Sequence, residues 1–240
     1  MFPLRDNIPT DRFPVVTVAL IIANVLIYFF LQDGRWELPS TGGAWPVSQY
    51  AAIPCEFTGA GACITDPGGP STIVTAFTAM FMHGSLLHLG GNMLFLWIFG
   101  NNVEDSMGPI KFVAFYLLGG IAADAAQILI DTSSDIPTLG ASGAVAGVLG
   151  GYLLLFPRAR VVTVVFIIFF FTILELPALL FLVIWIGQQF LFAYFDLLGP
   201  DDGGGGVAYF AHIGGFVFGL LLIRAFASEK RRQRQIERMT

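Results

Sequence analysis

Residues 139–156 read LGASGAVAGVLGGYLLLF, eighteen consecutive positions without a charge, five of them glycine. A stretch of that length and polarity is a candidate for crossing a bilayer, where about 20 apolar residues are needed and fewer suffice if the ends snorkel. Five further runs of the same kind lie at 14–32, 84–103, 110–130, 176–196 and 208–227. The runs at 84–103 and 139–156 are the weaker two, because they carry His88, Asn92 and several glycines. The composition agrees: of 240 residues 55% are hydrophobic and 12% charged, with 24 Phe and a mean hydropathy of +0.75. A soluble domain is nearer one quarter charged. The expectation is an all-α membrane protein, one domain over 1–240 with six crossings. No basic stripe suits nucleic acid, and the first run, Pro14 to Leu31, lacks a small-residue cleavage site and reads as the first membrane helix rather than a signal peptide.

Charge tests the count. With six crossings both termini share a side, and the inner segments are 1–13, 104–109, 157–175 and the tail. Arg5, Arg12, Lys111, Arg158, Arg160, Arg224, Lys230, Arg231, Arg232, Arg234 and Arg238 then lie inside or at inner helix ends, and Arg35 alone falls outside. Asp33, Glu37, Glu56, Asp66, Asp131, Asp135, Asp201 and Asp202 occupy the outer loops. This is the positive-inside pattern, with both termini cytoplasmic. The segment Val161 to Leu174 is the exception to resolve. It is apolar, only 14 residues long, and rich in β-branched and aromatic side chains, a length typical of an interfacial or re-entrant piece. Were it to cross, there would be seven spans and the basic tail would lie outside. In the long loop 33–71, Cys55 and Cys63 lie either as a disulfide or as two free thiols, and Trp36 and Trp45 suit the headgroup region. Residues 228–240 form a charged tail.

Three histidines punctuate the outer ends of the spans. His83 and His88 open the second, in His83-Gly84-Ser85-Leu86-Leu87-His88-Leu89-Gly90-Gly91-Asn92, and His212 opens the sixth, in Ala211-His212-Ile213-Gly214-Gly215. The fourth begins Gly140-Ala141-Ser142-Gly143. Spans two, four and six all enter from outside, so Ser142, His212, His88 and Asn92 share one depth. His88 and Asn92, at i and i+4, lie on one helix face. Gly143, Gly147 and Gly151 on one helix, with Gly215 and Gly219 on another, permit close backbone approach in lipid. A serine hydroxyl is a poor nucleophile until a base takes its proton, and His212 is suited to that role. Asn92, His88 and the Ser142 backbone N–H are suitable donors for an oxyanion. With no carboxylate near His212 in sequence, a dyad is expected rather than a triad. Each piece alone has a plainer reading: packing for Gly-Ala-Ser-Gly, capping for a histidine at a span end. His83 and His88 as metal ligands are poorly spaced for one helical face.

In combination the motifs are specific, and the chain resembles the rhomboid family of intramembrane serine proteases. The resemblance rests on His83-xxxx-His88-xxx-Asn92, Trp97-Ile98-Phe99-Gly100-Asn101-Asn102-Val103-Glu104-Asp105, Gly140-Ala141-Ser142-Gly143 and Ala211-His212-Ile213-Gly214-Gly215 with Gly219, in the family's order. It implies a six-helix core, Ser142 as nucleophile, His212 as general base, His88 and Asn92 at the oxyanion, a supporting His83 and a structural Glu104. It also implies single-span membrane substrates cut where the helix is loosened, without cofactor or metal. A bacterial or organellar inner membrane is the expected location, in the first place a bacterial plasma membrane with the site facing outward.

Two features depart from the pattern. The position one turn after the nucleophile, where the family often has an aromatic ring against the histidine, is Ala146, so His212 must be held by Phe216 or a neighbouring helix. Asp124 lies mid-span, where a carboxylate has to face the bundle interior or water. The fifth span and the glycine-rich loop at 201–206 suit a gate and cap, or a plain connector. Rival readings are an inactive relative that binds membrane helices without cutting them, and a transporter. No inverted repeat supports the latter, and the polar groups gather at one depth.

Overall fold

The structure, a computed structural model, describes residues 1–32, 49–61, 63, 69–167, 170–198 and 207–237. The expectations for Trp36, Trp45 and the loop at 201–206 concern residues outside this set. The chain is mostly helical. Strand β1 (Phe2–Asp6) precedes helix α1 (Val15–Leu26), which runs on as a π-helical turn over Ile27–Leu31. Two short helices follow, α2 (Pro54–Thr58) and α3 (Thr72–Thr78). Next come α4 (Leu86–Phe95), a π turn at Leu96–Gly100 and α5 (Asn101–Met107) in one rod, then α6 (Pro109–Ile130) and α7 (Ser142–Leu155). Strands β2 (Arg160–Ile167) and β3 (Phe170–Pro177) lead into α8 (Ala178–Leu198), α9 (Tyr209–Phe226) and α10 (Glu229–Glu237).

Three of these helices, Pro109–Ile130, Ala178–Leu198 and Tyr209–Phe226, are long and apolar enough to cross a membrane. The segments Thr72–Phe81 and Leu86–Met107 pass the same criterion together but bend by 82° at their break. Val15–Leu31 and Ser142–Leu155 are apolar and shorter. Local chemistry sets the ends. Ser85 caps α4, its Oγ accepting the His88 N–H at 3.0 Å. Gly108 turns the chain between α5 and α6 at φ +90°, and Pro109 takes the first helical position, where its missing N–H costs nothing.

The all-α expectation needs one correction. Strands β2 and β3 pair as the two arms of a β-hairpin, and β2 also pairs with the N-terminal strand to give an antiparallel sheet in the order β1-β2-β3. The reason is legible in the side chains. Val161, Val162, Thr163, Val164, Val165 and Phe166 are stiff or bulky at the first side-chain torsion, and such residues favour a pleated strand over a helix. A three-stranded sheet with two edges cannot satisfy its backbone in hydrocarbon, so this segment is not a seventh crossing helix.

Helix α7 stands at the centre, buried from Gly143 to Tyr152 and again at Leu155. Its partner α9 packs glycine against glycine. A Cβ built on Gly215 would strike the carbonyl oxygen of Gly143, and one on Gly219 that of Gly147. Gly150, absent from the sequence-level stripe, meets the Phe216 carbonyl in the same way. Without side chains there, the two backbones approach as small-residue motifs allow in lipid.

The two ends of the bundle differ. At one end β1, α5, α10 and the foot of α7 converge: Asp6 Oδ2 accepts from Asn102 Nδ2 and from the Tyr152 hydroxyl, both at 2.6 Å, and Gln235 Nε2 donates to the Asn102 carbonyl at 3.3 Å. Glu104, buried in α5, reaches the first turn of α1, where Oε1 accepts from Val16 N–H at 3.0 Å and Oε2 from Thr17 N–H at 2.7 Å and Thr17 Oγ1 at 2.8 Å. Both described chain ends therefore gather against α5. At the opposite end Cys55 and Cys63 are bonded as a disulfide, and their segment docks on the 131–138 loop through Cys55 N–H to Ser134 O at 3.0 Å and Thr58 Oγ1 to Thr132 O at 2.6 Å.

Candidate active site

Ser142 is the first residue of α7 and is half-buried. It follows a turn that only glycine makes without strain. Gly140 has φ +125°, and a Cβ there would lie 2.7 Å from His88 Cε1, 2.8 Å from His88 Nε2 and 3.5 Å from Ser142 Oγ. The open side of Gly140 is thus where the His88 ring sits and where the serine hydroxyl points. His83 props this loop from behind. It is fully buried, its Nε2 lies 3.5 Å from the Ala141 N–H, and its backbone is clasped by Gln32 through N–H to Oε1 and Nε2 to carbonyl, each at 3.0 Å. The rings of His83 and His88 meet edge-on, with centroids 5.1 Å apart.

Asn92 lies one turn beyond His88 on α4 and is 8% exposed, and its Nδ2 has no hydrogen-bond acceptor among the described residues. A buried donor left unmade is costly. Among native structures such groups are few and call for a cause, a catalytic role being one. Here the amide belongs to the helix that presents His88 to Ser142.

His212, in the first turn of α9, is 9% exposed. Helices α7 and α9 touch beside it: a Cβ built on Gly215 would strike the Gly143 carbonyl and one built on Gly143 would lie 3.8 Å from the Ala211 carbonyl oxygen, and Gly143 and Ala211 adjoin Ser142 and His212 in the chain. The imidazole is held by α8, as the missing aromatic at Ala146 requires of some neighbour. His212 Nδ1 lies 2.8 Å from Gln189 Oε1, and the Trp185 ring stacks at a tilt of 36° with centroids 5.9 Å apart. Phe216, a candidate from sequence, packs on Trp185 at 6.0 Å. Sequence reasoning missed Trp185 and Gln189. The available signal was the polar residue itself, since an amide within a crossing segment is a functional suspect.

Asp124 is 9% exposed on α6, and its Oδ2 has no partner among the described residues. It faces the bundle interior, as its position demanded, and stands apart from the serine and histidine motifs in sequence.

The helical bundle draws His88 and Asn92, Ser142, and His212 from three of its apolar helices, α4, α7 and α9. A family model, the Rhomboid domain, matches residues 70–229, two thirds of the chain. The chain belongs to the rhomboid family. It is 28% identical over 226 residues to Rhomboid protein 1, mitochondrial, of Saccharomyces cerevisiae, covering 91% of this chain and 56% of that protein. It is 29% identical over 145 residues to the presenilin-associated rhomboid-like protein, mitochondrial, of Mus musculus, covering 60% and 35%. Against RHOMBOID-like protein 5 of Arabidopsis thaliana it is 33% identical over 76 residues, covering 32% and 25%. The chain therefore spans little more than half of these relatives' length at most. An integral membrane protein is supported. The mitochondrial names of the first two relatives conflict with the bacterial plasma membrane expected from sequence.

Proposed function

We propose that this protein is an intramembrane serine endopeptidase that hydrolyses peptide bonds in or near the membrane-spanning segments of other proteins. The observation that carries the proposal is the close approach of α7 and α9 at Gly143 and Gly215, one and three residues along the chain from Ser142 and His212. Six crossings, with the basic termini on one side and Ser142 near the other, would form a single domain over residues 1–240. Ser142 Oγ attacks the scissile carbonyl while His212 Nε2 takes its proton. The carbonyl oxygen becomes an oxyanion, for which the Asn92 amide, His88 and the Ser142 backbone N–H are the proposed donors, each such group typically worth about 10²–10³ in rate. The tetrahedral intermediate collapses as His212 returns the proton to the leaving amine. Water then repeats the sequence on the acyl-serine. His83 keeps the Gly140–Ser142 turn in place.

Purified protein incubated with a generic single-span substrate tests this. Cleavage is expected from the unmodified protein and loss of at least about 10³-fold from Ser142→Ala and His212→Ala. Retained cleavage in Ser142→Ala removes the nucleophile assigned here. Cleavage that stops on chelation points to a metal instead, and no cleavage of several substrates by the unmodified protein points to a relative that binds helices without cutting them.

A further inference from the structure

We propose that Gln189 is a positioning residue for His212, fixing which ring nitrogen carries the proton; the proposal rests on the reading of Ser142 and His212 as nucleophile and base. Gln189 lies on α8, 23 residues before His212, and is 7% exposed. Its amide orientation is set by a second contact. Nε2 lies 3.3 Å from the Trp185 carbonyl, which can only accept, so Oε1 is the atom presented to the imidazole. An amide oxygen also only accepts. The 2.8 Å contact to His212 Nδ1 therefore requires the proton on Nδ1 and leaves Nε2 with a free lone pair. That is the tautomer a base facing a serine must have. When Nε2 takes the serine proton, Nδ1–H keeps its acceptor, so the ring need not turn between steps.

Trp185 completes the clamp. It precedes Gln189 by one helical turn and packs on the imidazole, limiting ring rotation. A single element thus sets both the tautomer and the plane of the base. Helix packing alone does not account for Gln189. The Trp185 carbonyl already lies in the helical ladder, and an apolar residue of similar size would fill the same space without desolvating an amide.

The test uses the full-length protein in detergent, with kcat and KM on a single-span substrate, fluorophosphonate labelling of Ser142 and ¹⁵N NMR of the imidazoles. With only three histidines, the His212 signals are assigned by comparison with His212→Ala. Gln189→Met keeps length and removes the acceptor; Gln189→Glu keeps an acceptor. Expected for Gln189→Met are a fall in kcat of about 10- to 100-fold, KM within about twofold, and ¹⁵N shifts moved away from the pure Nδ1–H form. Gln189→Glu is expected to retain the Nδ1–H form and recover at least part of kcat. Unchanged kcat and tautomer in Gln189→Met overturn the proposal. If Gln189→Met does not fold, loss of the Nδ1–H form in a folded Gln189→Glu does so instead. An unmodified protein that neither cleaves nor labels sinks the catalytic reading itself and the positioning role with it, a result distinct from active protein with an indifferent Gln189.

Discussion

At the residue scale the site depends on groups that are absent as much as on those present. The missing side chain of Gly140 makes room for the His88 ring beside the serine hydroxyl. Gly140→Ala would place a methyl group within 2.8 Å of His88 Nε2 on a backbone with φ +125°, so both the ring and the turn must move. The expected result is loss of most of the proposed peptidase activity with the helical circular dichroism signal retained. Asp124 makes the opposite prediction. A buried carboxyl oxygen without a partner costs about 1–3 kcal/mol. Asp124→Leu, of similar width, is therefore expected to raise the melting temperature in detergent; a clear drop would show that the carboxyl has a partner role after all.

At the element scale, helix positions were largely legible and helix partnerships were not. Apolar length marked the helices at 15–31, 86–107, 109–130, 142–155, 178–198 and 209–226, because in lipid the backbone must satisfy itself within each segment. The serine, asparagine and histidine motifs were legible for a related reason: polar groups in such runs stand out. What could not be read was which distant element each polar group serves. Glu104 was expected to be structural, but that it holds the first turn of α1 depends on packing between elements about 88 residues apart. Glu104→Ala would leave three donors at that turn without their acceptor, with an expected loss of about 2–3 kcal/mol in denaturant titration. The hairpin was missed because a 14-residue apolar run does not distinguish a strand pair from a buried helix. The glycine seam shows the same limit. Gly143, Gly147, Gly215 and Gly219 were visible as small residues, whereas Gly150 emerged only once α9 was in place. Gly215→Ala, whose methyl would meet the Gly143 carbonyl, is expected to lower stability by about 1–3 kcal/mol.

At the scale of the whole molecule, the two ends of the bundle are joined through α7, which carries Ser142 at one end and Tyr152 near the other. Tyr152 donates to Asp6, whose partly enclosed carboxyl group has its pKa pushed up from 3.8 to about 6 by burial, against the lowering effect of the Tyr152 bond. A carboxyl that titrates higher when folded favours the protonated native state, so its contribution is full below about pH 4 and is lost as pH rises through about 6. Asp6→Asn is expected to flatten that part of the stability profile, with a melting temperature that falls less than the unmodified protein's between those pH values. At the other end, the buried amide of Asn92 has a thermodynamic corollary. A donor with no acceptor among the described residues would gain one from a tetrahedral anion covalently mounted on Ser142. Derivatisation by a phosphonate would then act as a thermal stabiliser for the entire fold, and Asn92→Ala would forfeit a measurable share of that gain.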